Sequence, residues 1–126
     1  MRAVDTNVIV RLVTGDDERQ VEAAERFVAP GAWVSLLALA EAAWVLDSVY
    51  GKRAAEIAKA VDMLLKHAHL TIEDSDVVTT ALESFRMQPS LGFFDCLLLA
   101  DARKGGHVPL GTFDRALAKL DGAEKI

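Results

Sequence analysis

Short apolar segments that look like β-strands alternate along the chain with longer segments of helical periodicity. The four strand candidates lie at residues 2–4, 32–35, 70–72 and 107–110. Strands that are separated by helices pair in parallel, and the helices then cover both faces of the sheet. The alternation therefore predicts an α/β protein with a parallel sheet.

Glycine and proline residues divide the helical segments into short pieces. The helix candidates run from residue 6 or 7 to 13, and over residues 16–29, 36–50, 52–67, 75–87, 91–104 and 113–120. Thr6 or Asn7 can cap the first of these helices. The 126 residues of the chain match the size of one compact domain, so we expect a single domain over residues 1–126.

The apolar residues are not arranged as a membrane anchor or a leader. The longest apolar runs are interrupted by Glu41 and Asp95, so neither predicts a membrane span. The first five residues are too short and too acidic for a signal peptide. The single cysteine, Cys96, excludes an internal disulfide framework, and its apolar neighbours indicate a buried thiol. We expect a cytoplasmic protein.

The net charge of −5 is unfavourable for binding nucleic acid, because phosphates are bound by lysine and arginine. Acids that converge and bind divalent cations would reverse the local field at the point where a phosphate lies. Net charge therefore leaves both an acidic enzyme and a nucleic-acid enzyme open.

Two acids each stand alone in an apolar helical segment. Glu41 is the only charged residue between Pro30 and Asp47, and Asp95 lies between two runs of apolar residues. A buried carboxylate is costly unless it is paired, protonated or bound to a metal. A salt bridge to an arginine would equally explain Glu41, and capping of its own helix would explain Asp95.

Two further acids follow strand candidates. Asp5 comes directly after the first strand, and Asp114 follows the last one in the segment Gly111–Asp114. In parallel sheets ligands bind outside the carboxyl ends of the strands, which is where both acids lie. Turns and helix caps also favour aspartate, so each of these positions has a structural explanation as well.

Taken together, the four acids indicate a divalent-cation site. Magnesium prefers oxygen ligands, and phosphodiester cleavage uses such ions to activate water and to neutralise the leaving oxygen. The three histidines have no zinc spacing, and no glycine-rich phosphate loop occurs. The four acids are Asp5, Glu41, Asp95 and Asp114.

Four short segments together resemble the PIN-domain ribonucleases, in particular the VapC toxins of bacterial and archaeal toxin–antitoxin pairs. Each segment is weak alone, but their order and spacing run over nearly the whole chain. The segments are Val4–Val8, Glu41 with Trp44–Leu46, Phe94–Ala100 and Gly111–Asp114.

The resemblance implies a PIN-like three-layer α/β/α sandwich with a central parallel sheet, and an endoribonuclease that cuts tRNA or ribosomal RNA. It assigns Asp5, Glu41 and Asp95 to a magnesium or manganese ion, with Asp114 assisting. Asn7 and Thr112 would support these ligands. It also implies a homodimer and a cognate antitoxin whose peptide enters the acidic pocket.

Three observations bear on this interpretation. Many relatives have a further acid shortly after the closing aspartate, where this chain has Arg115, so a second firmly bound metal is in doubt. Trp33 and Trp44 are expected in the core. With Phe27 and the alanine-rich helices they provide more apolar surface than one small domain must bury, which supports the homodimer.

Two other function classes remain as alternatives. A phosphoacceptor receiver-like signalling module is also an α/β protein with acids at strand ends, but it needs a lysine after the last strand, and none follows Leu110 before Asp114. A catalytically inactive PIN-fold binding subunit is the second alternative. The presence of all four acids counts against it.

Overall fold

A computed structural model describes all residues of the chain, 1–126. The helices are α1 (Thr6–Thr14), α2 (Glu18–Val28), α3 (Leu36–Ser48), α4 (Ala54–Lys66), α5 (Ser75–Met87), α6 (Phe93–Lys104) and α7 (Arg115–Ala118). The strands are β1 (Arg2–Ala3), β2 (Ala32–Val34), β3 (Leu70–Ile72), β4 (Leu110–Thr112) and β5 (Ala123–Lys125). A 3-10 helix at Pro89–Leu91 precedes α6. The chain divides into an N-terminal unit (Met1–Ser75) and a C-terminal unit (Asp76–Ile126).

The N-terminal unit contains a parallel sheet in the order β1–β2–β3. The central strand β2 is the most buried, because Ala32 and Val34 are both fully buried. The carboxyl ends of β2 and β3 are joined where Glu73 Oε1 accepts a hydrogen bond from the backbone N–H of Leu36 at 2.8 Å. This bond satisfies a donor in the first turn of α3 that has no partner within the helix.

Helix α3 packs with one face only, although its sequence is apolar nearly all round. Leu39 and Leu46 are buried on the packed face, whereas Leu37 is 82% and Trp44 58% exposed. Trp33 is half-buried in β2. The expectation of a core position is therefore wrong for Trp44. The exposed face is itself partly apolar, so hydrophobic periodicity does not reveal which face is solvated.

In the C-terminal unit, β4 and β5 form a separate two-stranded parallel sheet. Strand β4 begins at Leu110, later than the predicted strand at 107–110. Pro109 has no N–H to donate, and Leu110 is the residue that donates to the Gly122 carbonyl at 2.8 Å. Strand β5 was not predicted, because Ala123, Glu124 and Lys125 show no apolar alternation.

The structure confirms the α/β class and the parallel pairing of the strands. No helix has the combination of length and hydrophobicity that is needed to cross a bilayer. The buried position of Cys96 is also confirmed, and burial with the neighbouring Asp95 charge raises the pKa of its thiol to about 11. The single domain over residues 1–126 stays a prediction.

Candidate functional site

Asp5 is the N-cap of α1, so the structure corrects the expectation that Thr6 or Asn7 caps this helix. Its backbone is extended (φ −91°, ψ 177°), and its Oδ1 accepts a hydrogen bond from the backbone N–H of Val8 at 3.1 Å. The capping bond fixes the orientation of the carboxylate. Only Oδ1 takes part in this bond, so Oδ2 stays available to another ligand.

A groove of about 380 Å³ runs beside this cap, between α1 and α2. Asp5 and Asn7 both contribute to its lining, and Asn7 is exposed in the first turn of α1. The amide of Asn7 therefore borders the same solvent-filled space as the Asp5 carboxylate.

Glu41 lies on the exposed face of α3, between Leu37 and Trp44 at helical spacing. Its expected burial is wrong. The arginine partner that would have explained a buried Glu41 is also absent, since its carboxylate forms no ion pair. A solvated carboxylate without a partner has no evident structural role in this helix, and it is free to bind a cation.

Asp95 lies in the first turn of α6 and is half-buried. Its pKa is raised above the ordinary value of 3.8, first because burial removes the carboxyl from water and second because the Asp114 charge repels it. Both causes disfavour the ionised form. Asp95 forms no ion pair with a cationic side chain, and a bound cation would offset both causes of the raised pKa.

Asp114 is the N-cap of α7 and is held by three hydrogen bonds. Its Oδ1 accepts from the backbone N–H groups of Ala116 at 2.8 Å and Leu117 at 3.4 Å. Its own backbone N–H donates to Thr112 Oγ1 at 3.0 Å. Thr112, the last residue of β4, thus fixes the start of the loop that carries the carboxylate.

The structure brings together two of the four predicted ligands, Asp95 and Asp114, which are close enough for one charge to shift the pKa of the other. It contains no group of three or more His, Cys, Asp or Glu side chains arranged to hold a metal ion. A pair of carboxylates fits magnesium, which usually takes one or two protein carboxylates and keeps most of its waters. The assignment of all four acids to one ion stays a prediction.

A polar network around the last turn of α1 was not predicted from the sequence. Arg11 donates to Asp16 at 3.1 Å, to Tyr50 at 2.8 Å and also to Gln20, and the Tyr50 hydroxyl donates to Asp16 at 2.9 Å. The hydrogen bonds from Tyr50 and Thr14, with the charge of Arg11, lower the pKa of Asp16. These residues tie the end of α1 to α2 and to the end of α3. Arg11 is the only charged residue in the apolar run Val8–Val13, and this isolated charge is the sequence signal that could have revealed the network.

Comparison with known proteins gives a family match and a weak structural likeness. No curated protein sequence matches the chain. The crystal structure of the Mycobacterium tuberculosis toxin VapC20, described as cleaving the Sarcin-Ricin loop, is 22% identical over 98% of both chains, with a TM-score of 0.44. The model of the PIN domain matches residues 2–123, across both units. The chain therefore belongs to the PIN-domain family.

Proposed function

We propose that this protein is a metal-dependent endoribonuclease and the toxin of a VapBC-type toxin–antitoxin pair. The observation that carries the proposal is the carboxylate pair of Asp95 and Asp114, which has no cationic side chain as a partner, in a chain matched by the PIN-domain model. The reaction is hydrolysis of an RNA phosphodiester bond, with tRNA or ribosomal RNA as the substrate class that the resemblance implies.

Asp5, Glu41 and Asp95 would bind magnesium or manganese directly or through its waters, and Asp114 would orient one of those waters. When bound, the ion activates water and neutralises charge on the leaving oxygen. The donor chemistry supports this assignment, because every assigned group is a carboxylate and hard divalent cations prefer oxygen.

The protein's own residues supply orientation. Asp5 and Asp114 each use Oδ1 as a helix cap, so both carboxylates are held before any ligand binds. Thr112 restrains Asp114 through its backbone N–H. Asp95 is partly withdrawn from water, which strengthens its attraction for a cation. Prepositioned charge of this kind needs little rearrangement during the reaction.

The expected activity has a direct test. Purified protein should cut RNA with magnesium or manganese and stop when a chelator is added. Asp5→Asn, Glu41→Gln and Asp95→Asn should each lower the rate by a factor on the order of hundreds or more, the usual scale when a preorganised charged group is removed.

Glu41→Gln is the sharpest of these variants, because Glu41 is exposed and unpaired and the change should leave the fold intact. Chelator-resistant cleavage by this variant would contradict the metal mechanism. RNA binding without cleavage by the unchanged protein would support the inactive PIN-fold subunit instead.

The remaining partners follow from the resemblance and from exposed apolar surface. The cognate antitoxin would be encoded by a small neighbouring reading frame, and the complex would act in the cytoplasm.

Leu37 and Trp44 on α3, and Phe94 and Leu98 on α6, are each more than two-fifths exposed. Apolar surface of this kind supports a homodimer. Light scattering at tens of micromolar should give twice the monomer mass of 13.6 kDa, and a monomer would remove this part of the proposal.

A further inference from the structure

The unpredicted strand β5 places a lysine at the sheet edge that carries Asp114. Strands β4 and β5 are parallel, and Thr112 is paired with Lys125 at their carboxyl ends. Partners in such a register project from the same face of the sheet. Lys125 and Thr112 therefore share a face.

A second observation fixes that face independently. A side-chain carbon placed on Gly111 would lie 3.8 Å from the side chain of Ile126. Gly111 and Ile126 thus lie on one face, and their chain neighbours Thr112 and Lys125 lie on the other. Because the Thr112 hydroxyl bonds the backbone N–H of Asp114, the face of Lys125 is the one toward which the Asp114 loop turns.

Lys125 is not neutralised within the protein. Its side chain is exposed and forms no ion pair, and the same holds for Arg115, the residue after Asp114. Two other cations of this unit are paired, Arg103 with Asp121 and Lys104 with Asp76. Arg86 and Lys119 of this unit are also exposed and unpaired. Lys125 differs from them because it shares a sheet face with Thr112, and Arg115 because it directly follows Asp114.

We propose that Lys125 binds a phosphate of the RNA backbone beside the Asp95–Asp114 pair, with Arg115 as a second cation at the same edge. The proposal rests on the ribonuclease function proposed above. It resolves a difficulty of that function, because a chain of net charge −5 repels RNA unless local cations offset the repulsion. The alternative is that Lys125 only protects an exposed strand edge from pairing with other chains.

The experiment measures binding of fluorescently labelled bulk tRNA in excess chelator, so that cleavage does not contribute. Affinity is followed from roughly 50 to 200 mM salt, the range in which phosphate contacts dominate. Lys125→Gln should weaken binding severalfold and reduce the slope of log affinity against log salt by about 1, which corresponds to one lost phosphate contact. Lys125→Arg should keep both the affinity and the slope.

Lys59→Gln is the matched control, because Lys59 is also an exposed lysine without an ion pair but lies on α4 of the N-terminal unit. It should bind like the parent. If the parent binds RNA and Lys125→Gln is unchanged, or if Lys59→Gln weakens binding equally, the Lys125 proposal is wrong while the ribonuclease function stands. If the parent neither binds nor cuts RNA, both proposals fall.

Discussion

The acids of the two units are set up differently. In the N-terminal unit, Asp5 caps a helix and Glu41 is solvated and unpaired. In the C-terminal unit, Asp95 is half-buried and repelled by Asp114. Crowding of like charges costs folding free energy, and active sites often retain such costs for function. The strain of the candidate site is thus concentrated in the C-terminal unit.

The largest stability effect should appear where the two units are alike, at their capping acids. Asp5→Ala and Asp114→Ala should each cost about 1 kcal/mol in the free energy of unfolding, since the first turns of α1 and α7 lose their acceptor. Asp5→Asn and Asp114→Asn should retain most of that stability, because asparagine caps as well as aspartate. Urea unfolding in chelator measures the free energy of unfolding of all four variants. Equal losses for the alanine and asparagine variants would show that the caps do not matter.

A smaller change in the free energy of unfolding, of opposite sign, should distinguish the acids of the two units. Asp95→Asn should stabilise the metal-free protein at neutral pH by up to about 1 kcal/mol, the usual size of a stabilising substitution, because it removes a charge that burial and Asp114 disfavour. Glu41→Gln, the matched loss of one carboxylate in the N-terminal unit, should change stability by less than about 0.5 kcal/mol. Thermal melts in chelator compare Asp95→Asn and Glu41→Gln with the parent. A melting temperature of Asp95→Asn below that of the parent would contradict the claim that burial and Asp114 disfavour the Asp95 charge.

The pH dependence follows from the direction of the Asp95 pKa shift. A carboxyl whose pKa is raised by folding binds more protons when folded, so its ionisation destabilises the fold at pH values above the raised pKa. That cost disappears as the pH falls through the raised pKa toward the ordinary value of 3.8. The advantage of Asp95→Asn over the parent should therefore shrink over this interval.

Adding a divalent metal gives a further comparison between the parent and Asp95→Asn. Millimolar magnesium or manganese should raise the melting temperature of the parent, because a ligand that binds only the folded state stabilises it. The ion should do much less for Asp95→Asn. If metal shifts neither protein, the carboxylate pair does not bind it.

Much of the fold could be predicted from the sequence, because hydrophobic periodicity indicates the helices and strands, and glycine and proline residues indicate where they end. Helix α5 and strand β3 have the predicted bounds, and the other helices differ mainly at their ends. Strand β5 could not be predicted, since its pairing with β4 comes from backbone contacts and not from apolar side chains. Lys125 was missed for the same reason.

The sequence predicted some features of the candidate site and not others. Asp5 and Asp114 were identified by their position after strands, which depends on topology and therefore survives errors in strand bounds. The burial expected for Glu41 was wrong, because an apolar run does not specify which of its faces meets another element. The repulsion of Asp95 by Asp114 arises only when the fold brings two separate segments of the chain near each other. No local pattern encodes it.

Asp5 and Asp114 each cap a helix and are each also assigned to the proposed metal site. This combination has an evolutionary consequence. Aspartate and asparagine codons differ by a single base, and asparagine supplies the capping oxygen without the charge. Selection for a stable fold alone would not remove a chain that carries asparagine at position 5 or 114. Only selection on the charge itself keeps aspartate there, so a descendant of this PIN-domain protein that folds but lacks the charge lies one point mutation away.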